Sequence, residues 1–150
     1  MNDQPPAALA GRGKRLGGII IDALIVAVIL VPIMFVTGAF RLMFGGGYSF
    51  GRQAGYGLLG CGVWLVLNWR LLERSGQTIG KKALGMKIVD LSGALPPFGK
   101  LVALRYVLPI LIAQIPFLGG LFALADALFI FGPERRCIHD YLAGTRVVEA

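Results

Sequence analysis

The sequence predicts an all-α integral membrane protein of about four short transmembrane or hairpin helices, completed by a small cytoplasmic pairing of β-strands. Of its 150 residues, 56% are hydrophobic and only 15% are charged, and the mean hydropathy is +0.73. A soluble domain usually has about a quarter of its residues charged. The apolar residues also form long blocks rather than helical or strand patterns. A bilayer can cover that much apolar surface, whereas a soluble core of this length cannot.

The first hydrophobic block runs from Leu16 to about Phe40 and follows a basic segment. It is long enough to cross a hydrocarbon core of ~30 Å. It is also longer than the apolar part of a signal peptide, and Asp22 interrupts it, so we expect an uncleaved helix. The chain therefore divides into a basic cytoplasmic N-terminus, residues 1–15, and a single membrane domain, residues 16–150.

The second block runs from about Ala54 to Leu72, after a predicted loop with three glycines at residues 45–47. Gly57, Gly60 and Gly62 form a small-residue face on which another helix can pack closely. Because four short helices hold too little protein to enclose a transport path, we expect a homo-oligomer, with this face as its interface.

The polar segment between Glu73 and Lys100 contains a predicted short helix, capped by Ser75–Thr78 and running through Leu84. Residues 86–90 then alternate as a strand does. A lone strand at a membrane surface leaves its backbone groups unpaired. We therefore predict that this strand pairs with residues 145–148, which alternate in the same way, and that Asp140 comes close to Lys81 and Lys82.

The last hydrophobic region, Leu101 to Phe131, would be ~46 Å long as a single helix, too long for one untilted span. Prolines and glycines divide it into two predicted helices, roughly 101–114 and 119–131, joined by a tight turn. We expect a hairpin, and whether it crosses the bilayer completely stays open.

Lys and Arg are concentrated in the N-terminus, the central polar segment and the C-terminal tail. Such segments remain cytoplasmic in membrane proteins, so both termini are predicted to be cytoplasmic. The same placement, between hydrophobic blocks, argues against nucleic-acid binding, which requires basic residues on a folded polar surface. The expected partner is the lipid bilayer.

Three charged residues lie within the hydrophobic blocks: Asp22, Arg105 and Asp126. They stand ~10, ~8 and ~13 Å along a helix from the nearest basic flank, so all three fall in one layer of the inner leaflet. Charges there are costly and usually face a protein interior or a water-filled cavity. We predict that they form a polar site for a proton, a small cation or a polar substrate group. The alternative is a purely structural network that sets helix register.

The sequence contains no catalytic constellation that we can identify. His139 and Asp140 are adjacent, which does not place imidazole and carboxylate in catalytic geometry, and no nucleophile motif accompanies them. With one histidine and two separated cysteines, Cys61 and Cys137, the spacing predicts neither a metal site nor a disulfide. We expect no enzymatic activity, no cofactor and no metal. Asn68 and Gln114 are expected to form interhelical hydrogen bonds.

Three motifs resemble those of the RDD family of membrane proteins. They lie at residues 11–22, 76–93 and 135–148. The family is named for one arginine and two aspartates, which match Arg15, Asp22 and, for the second aspartate, Asp140, with Asp126 as the alternative. Arg105 also stands where the family commonly has an arginine. The resemblance implies a bacterial inner-membrane protein related to transport of unknown ligands. The alternative is an accessory or assembly protein whose buried charges are structural.

Overall fold

The computed structural model describes residues 7–44 and 49–150 of the chain. The described chain is mostly helical, with one two-stranded antiparallel sheet. The glycine-rich loop predicted at residues 45–47 lies outside the described residues.

Eight α-helices and two strands follow one another along the described chain. They are α1 (Arg12–Val36), α2 (Ala39–Phe44), α3 (Phe50–Ser75), α4 (Ile79–Ala83), β1 (Met86–Asp90), α5 (Phe98–Val102), α6 (Leu108–Ala113), α7 (Leu118–Leu128), α8 (Ile138–Ala143) and β2 (Thr145–Glu149). A π-helical turn, Ala103–Val107, joins α5 to α6, and a 3₁₀ turn, Phe129–Phe131, extends α7.

Helix α3 contains the second predicted hydrophobic block and extends beyond it, whereas α1 starts before the first block and ends at Val36, short of the expected Phe40. Helix α1 begins at Arg12, and α3 starts at Phe50 and continues to Ser75. Polar residues beyond the apolar block remain helical because backbone hydrogen bonding, and not hydrophobicity, decides where a helix ends. Gly76 terminates α3 in the left-handed conformation, φ 64°, which costs glycine no steric clash.

The last hydrophobic region forms the two predicted short helical arms. Pro109 lacks the N–H that would bond to the Arg105 carbonyl, which accounts for the widened π turn at Ala103–Val107. The connection between the arms is tight: a Cβ at Gly119 would overlap the Ala113 carbonyl oxygen.

The predicted strand pairing is confirmed. Strands β1 and β2 pair antiparallel, with Met86 opposite Glu149 and Asp90 opposite Thr145. The N-terminal segment joins them, since the Ala10 N–H donates to the Val147 carbonyl at 3.0 Å. The start, middle and end of the chain therefore meet at this sheet. We define the cap as the elements α4, β1, α8 and β2.

The main apolar core is formed by the strands of this cap together with the C-terminal end of α3 and the start of α5. Its buried members are Ala10, Leu72, Met86, Ile88, Leu101 and Val147. By contrast, the helices expose large apolar side chains: Leu24, Val28 and Phe35 of α1 and Val66 of α3 are 61%, 74%, 69% and 76% exposed. Exposed apolar surface on this scale marks contact with a membrane or with another protein.

Within the described residues, only Arg12–Val36 is both long and apolar enough to cross a membrane by itself. The segment Leu118–Phe131 is apolar but shorter.

Two glycines of the predicted interface on the second block pack against side chains of the same chain. A Cβ at Gly57 would collide with the Gln114 side chain, and one at Gly60 would lie 3.1 Å from Leu30. Gly62 has no such neighbour within 4 Å.

Candidate functional site

A buried carboxylate, Asp140, joins two arginines from distant parts of the chain. Its Oδ2 accepts a hydrogen bond from Arg15 Nη2 at 2.5 Å, and its Oδ1 accepts one from Arg105 Nη1. Arg105 also donates to Thr145 Oγ1 at 2.6 Å. Asp140 and Thr145 are 0% exposed, and Arg105 is 3% exposed. Charged groups withdrawn from water in this way require partners, and this cluster supplies them.

Local structure holds Asp140 in place for both arginines. It is the third residue of α8, and its Oδ2 accepts from the backbone N–H of Cys137, the N-cap, at 2.9 Å. The Arg136 guanidinium donates to the Thr145 carbonyl at 3.0 Å and lies 4.0 Å over the Tyr141 ring. Through its bonds with Arg15 and Arg105, Asp140 links α1 and the π turn to the cap.

Asp22 has a different partner, the first turn of α4. Its Oδ1 accepts from the Gly80 N–H at 2.8 Å. A Cβ at Gly80 would overlap the Gly18 carbonyl oxygen, so α1 and α4 touch backbone to backbone at this point. The Asp22 carboxyl group thus accepts a hydrogen bond at the N-terminal end of a short helix whose Gly80 and Lys81 are buried.

Two more side chains complete the capping of α4. Asn68 Oδ1 accepts from the Ile79 N–H at 2.8 Å, and Thr78 Oγ1 accepts from the Lys81 N–H at 3.2 Å. Together with Asp22, they satisfy the first three N–H groups of the helix, which have no partner within it. The contact of Asn68 with Ile79 confirms that this residue bonds between elements.

Lys81 lies buried in the same turn. Burial lowers the pKa of its ammonium group, and the Tyr106 phenol and the Asp22 carboxylate oppose that shift.

We expected a contact between Asp140 and Lys81 or Lys82. The ion pairs of Asp140 run instead to Arg15 and Arg105, because α8 packs against the π turn that carries Arg105 and Arg15 of the first turn of α1 reaches the same carboxylate.

Asp126, on α7, is bonded to His139. Its Oδ1 accepts from the His139 backbone N–H at 2.9 Å, and its Oδ2 lies 2.7 Å from His139 Nδ1. The two side chains are 18% and 19% exposed. Burial lowers the pKa of His139 to about 4, although the bond to Asp126 acts in the opposite direction. The imidazole is therefore neutral at neutral pH.

Cys137 brings a third ligand-type atom to this pair. One atom each of Asp126, Cys137 and His139 lies within 4.8 Å of the others. The thiol is 3.7 Å from Arg15 Nη2, and burial raises its pKa while Arg15 opposes that rise. The residue spacing in the sequence did not predict this cluster, because Asp126 lies in a different segment of the chain from Cys137 and His139.

The predicted grouping of Asp22, Arg105 and Asp126 needs correction. Arg105 pairs with Asp140, Asp22 binds the backbone of α4, and Asp126 binds His139. Depth along a helix places a residue in a layer but does not say which way it faces, and this is why the three do not share one guanidinium. The family motif carried the missing signal, since it matched both Arg15 and Asp140.

The RDD family model matches residues 9–144, nearly the whole chain. The matched segment contains Arg15, Asp22, Arg105, Asp126 and Asp140. No curated protein and no solved structure matches the chain.

Proposed function

The chain belongs to the RDD family, and from that premise we propose that it is a multi-pass protein of the bacterial inner membrane that takes part in transport. The cargo class that we propose is a proton or a small cation. The observation that carries the proposal is Asp126, a half-buried acid on an apolar helix that is bonded to a neutral histidine.

The membrane placement that we propose rests on helix length and exposure. Helix α1 is long and apolar enough for a span. Helix α3, with 26 residues, is about 39 Å long and suffices in length, although it is less apolar. The arms α5–α6 and α7 are shorter, but Leu111, Leu121 and Leu124 are 48%, 54% and 59% exposed. We propose that they enter the bilayer as a hairpin, with lipid covering these side chains.

Both termini would face the cytoplasm. The N-terminal segment, β1 and β2 are hydrogen-bonded to one another, so they share one side of the membrane, and the basic residues near them favour the inner side. A reporter fused after Ala150 should be active only in a cytoplasmic form, and one inserted at Gly51 only in a periplasmic form. Reporters active on the opposite sides would refute this topology.

Within the polar layer, Asp126 is the residue that we propose exchanges ions. Asp22 caps α4, and Arg105 is paired with Asp140, so both are committed to holding the fold. Asp126 and His139 remain partly accessible, and an acid inside a membrane segment is a common feature of ion pathways.

Flux in proteoliposomes tests this role directly. Asp126→Asn retains the shape of the side chain and removes its charge, so flux driven by a proton or cation gradient should fall by at least about tenfold, an effect of ~1.4 kcal/mol. Glu134→Gln is the matched control, because Glu134 is an exposed acid in the loop after α7. Equal flux in parent and Asp126→Asn would refute the assignment.

A second candidate, an accessory or assembly protein, is favoured by a specific observation. Arg15, Arg105, Asp140 and Asp22 all find partners inside the chain, so these charges require no ligand. Under this alternative, the parent shows no flux under any gradient, and Asp22→Asn lowers only stability and yield. An active parent beside a folded, inactive Asp126→Asn variant would favour transport.

We also propose a homo-oligomer in the membrane. Since Gly57 and Gly60 pack within the chain, we place the oligomer interface on the open face of α3 instead. Gly55 and Gly62 are seven residues apart on that face and have nothing within 4 Å of an added Cβ. Small residues permit close approach of a second helix there.

A further inference from the structure

Three side chains of different chemistry meet where α7 faces the start of α8. Asp126 supplies a carboxylate oxygen, Cys137 a sulfur and His139 an imidazole nitrogen, all within 4.8 Å of one another. Cys137 and His139 are two residues apart at the start of α8, and tertiary folding brings Asp126 of the apolar helix α7 to them. Within the part of the chain that the structure describes, this is the one group of three such residues.

The chemistry of this set selects a class of ion. Thiolate and imidazole ligands suit Zn²⁺ and its transition-metal neighbours, whereas Mg²⁺ and Ca²⁺ require oxygen ligands. One sulfur, one nitrogen and one carboxylate oxygen are three protein ligands, as in zinc sites that keep a fourth position for water. Asp126 and His139 are 18% and 19% exposed, which leaves an approach for the ion and for that water.

We propose that Asp126, Cys137 and His139 bind one divalent transition-metal ion of the Zn²⁺ class. The proposal shares two residues with the transport site, but it concerns binding and stands whether or not the protein carries an ion across the membrane.

The observed distances are close to those that such an ion requires. With metal–ligand bonds of ~2.0–2.3 Å, the ligand atoms of a tetrahedral site lie roughly 3.3–3.8 Å apart. The longest present separation, within 4.8 Å, must shrink by about 1 Å, and the 2.7 Å contact between Asp126 and His139 must open. Rotation of the Cys137 and His139 side chains accomplishes both. Asp126 Oδ1 keeps its bond from the His139 backbone N–H while Oδ2 faces the metal, and Cys137 Sγ gives up the Asp140 backbone N–H that it accepts in the capping box.

The surrounding groups supply outer-shell contacts. His139 Nε2 lies 3.7 Å from Asp140 Oδ1, so the imidazole can carry its proton on Nε2 while Nδ1 faces the metal. Carboxylate partners of this kind orient metal-binding histidines. Arg15 Nη2, 3.7 Å from Cys137 Sγ, favours the thiolate. On binding, the Nδ1 proton of His139 is replaced by one on Nε2, and the thiol proton leaves to solvent.

Cobalt titration of the full-length protein in detergent tests the site. Co²⁺ bound to a thiolate has a charge-transfer absorption band, and Zn²⁺ should abolish that band by replacing Co²⁺. Cys137→Ser should remove the band, and Asp126→Asn should weaken binding by at least about tenfold. Cys61→Ser is the matched control, since it removes the other cysteine, which lies on α3, and it should bind as the parent does.

A second measurement covers the case in which Cys137→Ser does not fold. In a Cys61→Ser background, Zn²⁺ should slow alkylation of the remaining thiol by at least about tenfold. A folded parent without the cobalt band, or a band that depends on Cys61, would overturn the proposal, as would alkylation that Zn²⁺ leaves unchanged. Flux is measured separately, so metal binding without flux refutes only the transport role, and flux without metal binding refutes only this site.

Discussion

Asp140 is a buried carboxylate that pairs with two arginines. One carboxylate between the guanidinium groups of Arg15 and Arg105 leaves a formal charge of +1, all of it buried. Such a cluster is stable only while each member keeps its partners, because a stranded buried charge costs more than a complete pair contributes.

Arg105→Ala should lower the free energy of unfolding by about 3–5 kcal/mol, because it leaves Asp140 with one guanidinium and removes the partner of Thr145. Arg70→Ala is the control: Arg70 is exposed on α3, and its loss should cost about 0–1 kcal/mol. Thermal or denaturant unfolding in detergent measures both. Equal stability of the two variants would show that the buried cluster contributes nothing.

Gly80 lies where α1 and α4 cross, at a point with no room for a side chain. Gly80→Ala places a Cβ on the Gly18 carbonyl oxygen and forces α1 and α4 apart, breaking the bond between Asp22 and the Gly80 N–H. We expect a loss of about 2–3 kcal/mol. Gly120→Ala, in open space on α7, should instead gain ~0.5–1 kcal/mol from helix propensity. Unfolding midpoints of the two variants should therefore move in opposite directions, and a neutral Gly80→Ala would contradict the crossing.

At the scale of elements, α4 is too short to be stable alone. It has five residues, fewer than an isolated helix needs in water. Side chains from α1, α3 and its own N-cap hold its first turn, while β1 follows directly and pairs with β2. The cap is therefore stabilised by contacts between elements, and the tight anchoring of α4 links it to both long helices.

Removal of one of these anchors should have a measurable effect. Asn68→Ala leaves the partly buried Ile79 N–H without its acceptor, at a cost of ~1–3 kcal/mol. Gln53→Ala, at an exposed position of the same helix, should change stability by less than about 0.5 kcal/mol. Hydrogen exchange should locate the loss in Ile79–Ala83. Unchanged protection of that segment would contradict the capping role of Asn68.

At the scale of the whole molecule, the protein is divided into a cap with a buried core and a set of helices with apolar side chains facing outward. Only a nonpolar surrounding stabilises the second part. The open glycine face of α3 is the place where a second copy can replace lipid at close range, as proposed above.

Gly62→Leu should therefore weaken self-association by on the order of tenfold in dissociation constant, because the larger side chain keeps a second helix at a distance. Gly120→Leu is the control, since Gly120 lies on α7 and is also open. Crosslinking in bilayers and native mass spectrometry report the oligomer. A parent that remains strictly monomeric in bilayers, or a Gly62→Leu variant that associates like the parent, would refute the interface.

The sequence by itself determined the helical class, the family, the two-arm division of residues 101–131 and the pairing of β1 with β2. These features depend on local patterns: apolar blocks, prolines and glycines that end helices, and alternation in two short segments. Such patterns act between near neighbours, or between segments with similar requirements, and a single sequence displays them.

Only the tertiary structure decided which charges meet. The sequence placed Asp22, Arg105 and Asp126 in one layer. In the structure, Arg105 pairs with Asp140, and Asp126 bonds to His139 and lies close to Cys137. Layer depth follows from counting residues along a helix, but the direction of a side chain depends on how helices rotate about their axes when they pack. That rotation is set by close contacts such as Gly18 against Gly80, which join residues far apart in the chain and leave no local pattern.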